Sequence, residues 1–368
     1  MSARIVPPTP ENIRDAAERL RSGKLVAFPT ETVYGLGANA LDADAVARIF
    51  AAKGRPATNP LIVHVADTQA AKALCADWTP VADELAAMYW AGAVTLVVRK
   101  TDAVPNIVTA GGDTVALRVP DHPVALELLR AAGVPVAAPS ANRSESVSPT
   151  TAQHVADSLA DYVDDLLILD GGACAVGIES TVVDATGQEA RVLRPGMVAV
   201  VYAPVPPIPP TPFPPATEEK GGVRSPKTVG FAGSPTSTDP ETPPFSSVAG
   251  GKGVGGTPTR SPGQAVRHYA PNVPLHVLTA KQIRKLRQNG DVVIGREVVG
   301  SPPNVQHLTP NTLLLPATPH GYAAGLYAAF RTLEVLPGVA RILVEEPPKG
   351  ARWDAIHDRL KRAASPLV

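Results

Sequence analysis

Apolar residues along this chain fall into two kinds of pattern. Short continuous runs at Leu25–Phe28, Leu61–Val65, Val94–Val98, Val115–Val119, Val134–Ala138, Leu166–Leu169 and Thr181–Val183 predict buried strands. Between them Val46, Ile49 and Phe50 recur at i, i+3 and i+4, which predicts a helix over Asp42–Lys53 with Asp42 as its cap. Glu11–Arg21, Pro123–Ala132 and Thr151–Leu159 predict further helices. Thr79-Pro80 opens another, with a capping hydroxyl and a proline at the first helical position. Strands alternating with helices predict a layered α/β sheet. The alternation is irregular, so a doubly wound parallel fold does not follow.

The pattern stops at Pro204. From there to Pro262 lie 15 of the chain's 40 prolines, with Gly, Ser and Thr filling most of the remainder. Such composition favours extended polyproline conformations and buries too little apolar area to fold, which predicts a linker. Its GGKGVGG is no phosphate loop, because no strand precedes it and the Lys-Ser/Thr ending is missing. A second α/β pattern begins near Asn272. Leu275–Leu278, Val292–Ile294, Thr312–Leu315 and Ile342–Val344 predict strands, and Ala323–Leu336 and Trp353–Ala363 predict helices. The length suits a small Rossmann-like domain, without the G-x-G-x-x-G that would signal a dinucleotide. The expected organisation is residues 1–203, a linker and tether over 204–271, and a second domain over 272–368.

Composition narrows the class. At 4% aromatic and 44% hydrophobic, the core must be aliphatic. Lys+Arg and Asp+Glu are both 34, so no global charge pulls the chain toward nucleic acid or membrane. Cys75 and Cys174 have no metal-type spacing, and two cysteines make no disulfide scaffold. The N-terminus lacks a secretory apolar segment, and no run is long enough to span a bilayer. A soluble, cytoplasmic protein is the expectation.

The chemistry lies where apolar runs end. Phe28 leads into Pro29-Thr30-Glu31-Thr32, and the whole stretch FPTETVYGLG is too long and too rich in hydroxyls and glycine for a plain strand-to-helix connection. Lys53 leads to Gly54-Arg55-Pro56, Val63 to His64, and Leu117 to Arg118. Ala138 leads to Pro139-Ser140-Ala141-Asn142, Glu179 to Ser180-Thr181, and Leu193 to Arg194-Pro195-Gly196. Carboxyl ends of strands are where α/β sheets bind ligands, and cations with hydroxyls and glycines suit an anionic, phosphate-bearing one. Taken singly, each has a plainer reading. KGRP can be a basic loop, His64 a core histidine, and PSAN a capped turn. Arg118 is the least ordinary, since a guanidinium inside an apolar strand must be paired or face a cleft.

Taken together and in order, PTETVYGLG, KGRPATNPLIVH, TVALRVP, APSAN, ESTVVD and RPG strongly resemble the YrdC-like threonylcarbamoyl-adenylate synthases. SPGQAVRHYAP followed by an α/β domain resembles the long, two-domain form. The resemblance covers the chain apart from the linker. It implies a twisted, open, mixed sheet with helices, joined to the small Rossmann-like domain. It also implies a reaction: L-threonine, bicarbonate and ATP become threonylcarbamoyl-AMP, pyrophosphate and water, and a downstream tRNA threonylcarbamoyl transferase machinery uses the product beside the anticodon.

Residue by residue, the resemblance implies that Thr30, His64, Arg118 and Ser180 contact threonine, with Arg118 on the carboxylate. It puts Lys53 and Arg55 on the ATP phosphates, as the catalytic cations. It puts Ser140, Ser148 and Arg194 on the nucleotide, Asn142 sharing in this. Magnesium is expected on the phosphates, and no acidic cluster names its protein ligands. One departure is Val266, where the family commonly carries a tyrosine before His-Tyr-Ala-Pro. Arg267, His268 and Tyr269 still set a cation, an imidazole and a phenol together, which predicts a tether that closes over the cleft. Two other classes remain: a module binding double-stranded RNA or tRNA weakly through a basic surface, and a carbamoyl-transferring maturation enzyme. The second brings zinc segments or a large transferase domain, and this chain has neither.

Overall fold

A computed structural model describes residues 3–202, 268–297 and 311–366. The proline-rich linker, Val266 and Arg267 lie outside these residues. The described parts of residues 1–203 and 259–368 pack as one compact unit.

The predicted helix after FPTETVYGLG is Ala43–Lys53. Asp42 caps it, its Oδ1 accepting from the amides of Asp44 at 3.0 Å and Ala45 at 3.1 Å. It ends at Gly54, whose left-handed φ of 60° releases the chain toward Arg55. Helix Pro80–Tyr89 begins on Thr79 as its Thr-Pro pair predicts, and Pro10–Arg21 begins one residue before the predicted Glu11, capped by Thr9.

An eleven-stranded mixed sheet forms the larger body. Its order runs Arg4–Val6, Leu167–Leu169, Val26–Phe28, Gly35–Asn39, Val136–Ala137, Ile62–His64, Thr114–Arg118, Val94–Lys100, Thr181–Asp184, Arg191–Arg194. Cys75–Asp77 pairs beside Val94–Lys100, off that path. Parallel and antiparallel neighbours mix: Ile62–His64 runs parallel to Thr114–Arg118 but antiparallel to Val136–Ala137. His64 and Arg118 are register partners, so both end at the same edge.

The puzzling stretch contains a strand that its glycines hid from the hydrophobic pattern. Gly35–Asn39 turns back antiparallel on Val26–Phe28, with Val26 opposite Gly37 and Phe28 opposite Gly35. A Cβ on Gly37 would stand 2.8 Å from Val136 Cγ1 and 2.9 Å from Phe28 Cε1. Glycine is required by close packing, and that same requirement lowers the strand propensity readable in sequence.

The C-terminal sheet is wholly parallel, ordered Leu275–Leu278, Arg341–Glu345, Asp291–Arg296, Thr312–Leu315. Helix Pro319–Glu334 starts four residues earlier than its apolar pattern suggested, because Thr318 caps it and Pro319 begins it. The two sheets are separate, but one apolar cluster joins Val33, Val147 and Ile178 of the larger body to Leu326, Tyr327 and Ile356 of the smaller. Gly177 sits at this seam, where a Cβ would meet Ala324 Cα at 2.5 Å. No helix among the described residues is long and apolar enough to cross a membrane.

Candidate active site

The sheet edge carrying His64 and Arg118 opens into a cleft. Of the ten residues singled out by sequence, Thr30, Arg55, His64, Arg118, Ser140, Ser180 and Arg194 line it. Lys53, Asn142 and Ser148 are buried behind it.

Arg118 is 3% exposed and held by three acceptors. Its Nε donates to Gly92 O at 3.1 Å, one terminal nitrogen to Thr32 Oγ1 at 2.9 Å, and the other to Glu31 Oε1 at 2.5 Å. A guanidinium carries five N–H groups, so one remains on each terminal nitrogen: a fork for a planar anion. The sequence reading missed Glu31 and Thr32 as Arg118's holders, although both lie in the quoted stretch. Thr30 does local work as well. Its hydroxyl accepts from the amides of Thr32 and Val33, both at 3.2 Å, and lies 2.6 Å from Val33 O, folding the turn that presents Thr32.

His64 stands edge-on to Phe28, with ring centroids 6.0 Å apart. Burial, reinforced by the Arg118 charge, pushes its pKa down to about 3. The imidazole is therefore neutral, and its Nδ1 is buried without a hydrogen-bond partner. A buried polar atom left this way needs an explanation, which a water or a ligand group can supply.

Lys53 departs from the simple picture of an ammonium reaching for phosphate. Its Nζ donates to Ser140 O at 2.6 Å and to Asn142 O, so it holds the PSAN loop from beneath. Burial, with Arg55 and Arg143 nearby, holds its pKa well below the usual lysine value. Asn142 spends its amide on Arg143 O and Ser146 O, at 2.9 and 2.8 Å, bracing the loop. Arg55 faces the cleft while anchored on Pro60 O at 3.0 Å. Arg194 anchors on Ser180 O at 2.9 Å. Ser180 Oγ pairs with Thr95 Oγ1 at 2.7 Å, a partner no motif announced.

The tether ends in the cleft wall. His268 and Tyr269 line it, and the phenol oxygen of Tyr269 and Nδ1 of His268 are buried without partners. Tyr269 adopts a φ of 63°, a left-handed conformation costly for a bulky residue, pinned by the bond from Ala270 N to Glu145 O at 2.9 Å. Glu179 forms part of the floor. It accepts from Ser148 Oγ at 2.6 Å, Tyr327 OH at 3.1 Å and Arg359 Nε at 2.8 Å. Glu179 is visible in ESTVVD, but nothing local to that segment gives it a role. Arg359 carried no signal, since in DRLKRA it reads as one more surface charge.

Among the described residues no group of three or more His, Cys, Asp or Glu is placed to hold a metal ion. Glu179, the carboxylate lining the cleft, is ion-paired to Arg359; Glu31 is ion-paired to Arg118 through one oxygen, its Oε2 being buried without a partner.

The fold and site thus define a mixed α/β protein with a cationic, hydroxyl-lined cleft. A family model described as "Telomere recombination" (Sua5, YciO, YrdC) matches residues 18–196, and one described as "Threonylcarbamoyl-AMP synthase, C-terminal domain" matches residues 242–365. The threonylcarbamoyl-AMP synthase of Pyrococcus abyssi is 52% identical over 184 residues, 50% of this chain and 54% of that protein. That of Bacillus subtilis is 51% identical over 185 residues, 50% and 53%. These alignments span about half the length of the curated relatives. The solved structure of P. abyssi Sua5 complexed with L-threonine matches with a TM-score of 0.74 and 35% identity, over 99% of this chain and 98% of that one. The chain belongs to the Sua5/YrdC-type threonylcarbamoyl-AMP synthase family, in its two-domain form.

Proposed function

We propose that this protein makes threonylcarbamoyl-AMP from L-threonine, bicarbonate and ATP, releasing pyrophosphate and water, for threonylcarbamoyl-adenosine formation in tRNA. The observation that carries the reading is the meeting of two subsites in one cleft. The Arg118 fork, neutral His64 and Ser180 suit a small hydroxylated amino acid. Arg55 and Arg194 suit phosphates. The names of the relatives and the threonine complex of the P. abyssi protein support the same pairing.

The chemistry follows from the arrangement. Threonine is held by its carboxylate on Arg118, with its hydroxyl and nitrogen toward His64 and Ser180. Its ammonium gives up one proton to solvent, and the free amine adds to the carbon of bicarbonate with loss of water to give a carbamate. A carbamate oxygen then displaces pyrophosphate at the α-phosphorus of ATP. Such transfers depend mainly on positioning and charge stabilisation, which Arg55 and Arg194 provide directly. Lys53, Asn142 and Ser148 act from behind by fixing the loops that bear Ser140 and Ser180. His268 and Tyr269 exclude water from the labile carbamate. Magnesium belongs with ATP as part of that substrate, carried on the phosphates; among the described residues no group of three or more acidic, histidine or cysteine side chains is placed to hold it.

The product is a reactive mixed anhydride, so a threonylcarbamoyl transferase acting on tRNA must consume it, in the cytoplasm. Pyrophosphate release is the test, measured with and without L-threonine and bicarbonate. Release that requires all three substrates supports the synthase. Salt-sensitive binding of double-stranded RNA with no pyrophosphate release would replace it with the RNA-binding reading, and carbamoyl-phosphate-dependent turnover with the maturation-enzyme reading.

A further inference from the structure

The floor of the cleft contains a carboxylate where an anionic substrate is expected. Glu179 lines the cleft beside Arg55 and Arg194, and an unpaired negative charge there would repel a nucleoside triphosphate. The group that answers it most directly comes from the C-terminal body and adds to the charge of Arg194 nearby. Arg359, on helix Asp354–Ala363, is 0% exposed. Its Nε donates to Glu179 Oε2 at 2.8 Å, one terminal nitrogen to Glu179 O at 3.3 Å, and the other to Pro195 O at 3.2 Å and Asp358 Oδ2 at 2.6 Å. One guanidinium therefore ties together the two segments that carry Ser180 and Arg194. Tyr327, on helix Pro319–Glu334, adds its hydroxyl to the same Glu179 oxygen at 3.1 Å. The Arg359 guanidinium carbon also lies 5.2 Å from the Tyr269 ring centroid, beneath the tether.

We propose that Arg359 is a positioning residue for ATP: by neutralising and fixing Glu179 from the C-terminal domain, it makes the cleft floor able to accept a triphosphate. The inference rests on the synthase reading of the cleft and assigns the second domain a part in it. A buried arginine on a surface-type helix needs a reason, since a buried pair gains little over apolar packing. The reason here is that the carboxylate lies in the cleft, where apolar replacement of its partner would leave it charged. Threonine is a zwitterion with no net charge, so the same carboxylate disturbs it far less.

Calorimetric titration of the full-length protein with ATP and with L-threonine tests this. Arg359→Gln should weaken ATP binding by roughly fivefold to a hundredfold, the usual span of coupling between sites, while threonine affinity, touched only through the Ser180 segment, falls far less. The double variant Glu179→Gln with Arg359→Gln removes the stranded charge and should recover most of the ATP affinity. Equal losses for both ligands without recovery in the double variant would make Arg359 a merely structural residue and overturn the proposal. So would unchanged ATP binding. If Arg359→Gln does not fold, Tyr327→Phe keeps the packing and removes one donor to Glu179. It should weaken ATP by roughly twofold to tenfold, and wild-type ATP affinity would overturn the proposal. Wild-type protein that binds no ATP would bring down the synthase reading, and the inference with it. Wild-type binding with an indifferent Arg359→Gln brings down the inference alone.

Discussion

Arg118 illustrates how one side chain is both structural and chemical. Glu31, Thr32 and Gly92 immobilise it and leave one N–H uncommitted on each terminal nitrogen of a side chain that lines the cleft. Alanine at this position would also strand Glu31, so Arg118→Lys is the cleaner probe: it keeps the charge and loses the fork. Its KM for threonine should rise by about tenfold to a hundredfold with the KM for ATP unchanged. Steady-state kinetics with each substrate varied checks this, and equal shifts in both would remove Arg118 from the threonine subsite. His64 makes a second prediction. Free histidine protonates near 6.5, whereas His64 and His268 are held down at about 3, chiefly by burial. Between those values the unfolded chain binds protons that the native chain refuses. Stability therefore rises with pH through this window and is lost as pH falls through it. The denaturant midpoint should be lower at about pH 5 than at about pH 7.5, and His64→Gln should flatten the slope. An unchanged slope in that variant would mean His64 titrates normally.

At the scale of the element, helix Ala43–Lys53 separates stability from function at its two ends. Asp42 only caps the start. Asp42→Ala should cost about 1 kcal/mol of stability, read from the denaturation midpoint, and leave ATP-dependent turnover intact at temperatures where the protein is folded. Lys53 at the other end donates to the carbonyls of Ser140 and Asn142. Lys53→Ala should abolish most ATP-dependent pyrophosphate release while calorimetry still shows threonine binding. Normal turnover in that variant would reduce Lys53 to a buried loop anchor with no bearing on the nucleotide. The helix direction also explains the burial: Lys53 follows Phe50 and Ile49 on the apolar face, so its stem continues that face under the loop.

Across the whole molecule, the end of the tether closes one wall of the cleft. His268 and Tyr269 are buried there, with Tyr269 stacked on Tyr327 at 5.8 Å. Replacing Arg267-His268-Tyr269 by Gly-Ser-Gly should lower the yield of threonylcarbamoyl-AMP and raise ATP breakdown that gives no adduct, since water then reaches the carbamate. Product analysis by chromatography separates the two. An unchanged ratio of adduct to ATP consumed would leave the tether as a covalent link alone.

Local chemistry made much of this legible in sequence. Caps at Asp42 and Thr79, apolar runs such as Leu166–Leu169, and the PTETVYGLG, KGRP and PSAN segments act through near neighbours, so their patterns survive in one dimension. The same holds for Arg118: a charge inside an apolar strand announces a cleft or a partner before either is seen. What the sequence could not decide were contacts between distant residues. Strand Gly35–Asn39 was hidden because its glycines answer to Phe28 and Val136 across the sheet rather than to a strand periodicity. Lys53 was expected to face phosphate, and only the fold turns its ammonium onto two carbonyls. Arg359 lies 180 positions from Glu179. Its role is invisible in DRLKRA because an arginine's meaning depends on the charge it meets, and packing of the two sheets alone brings that charge within reach.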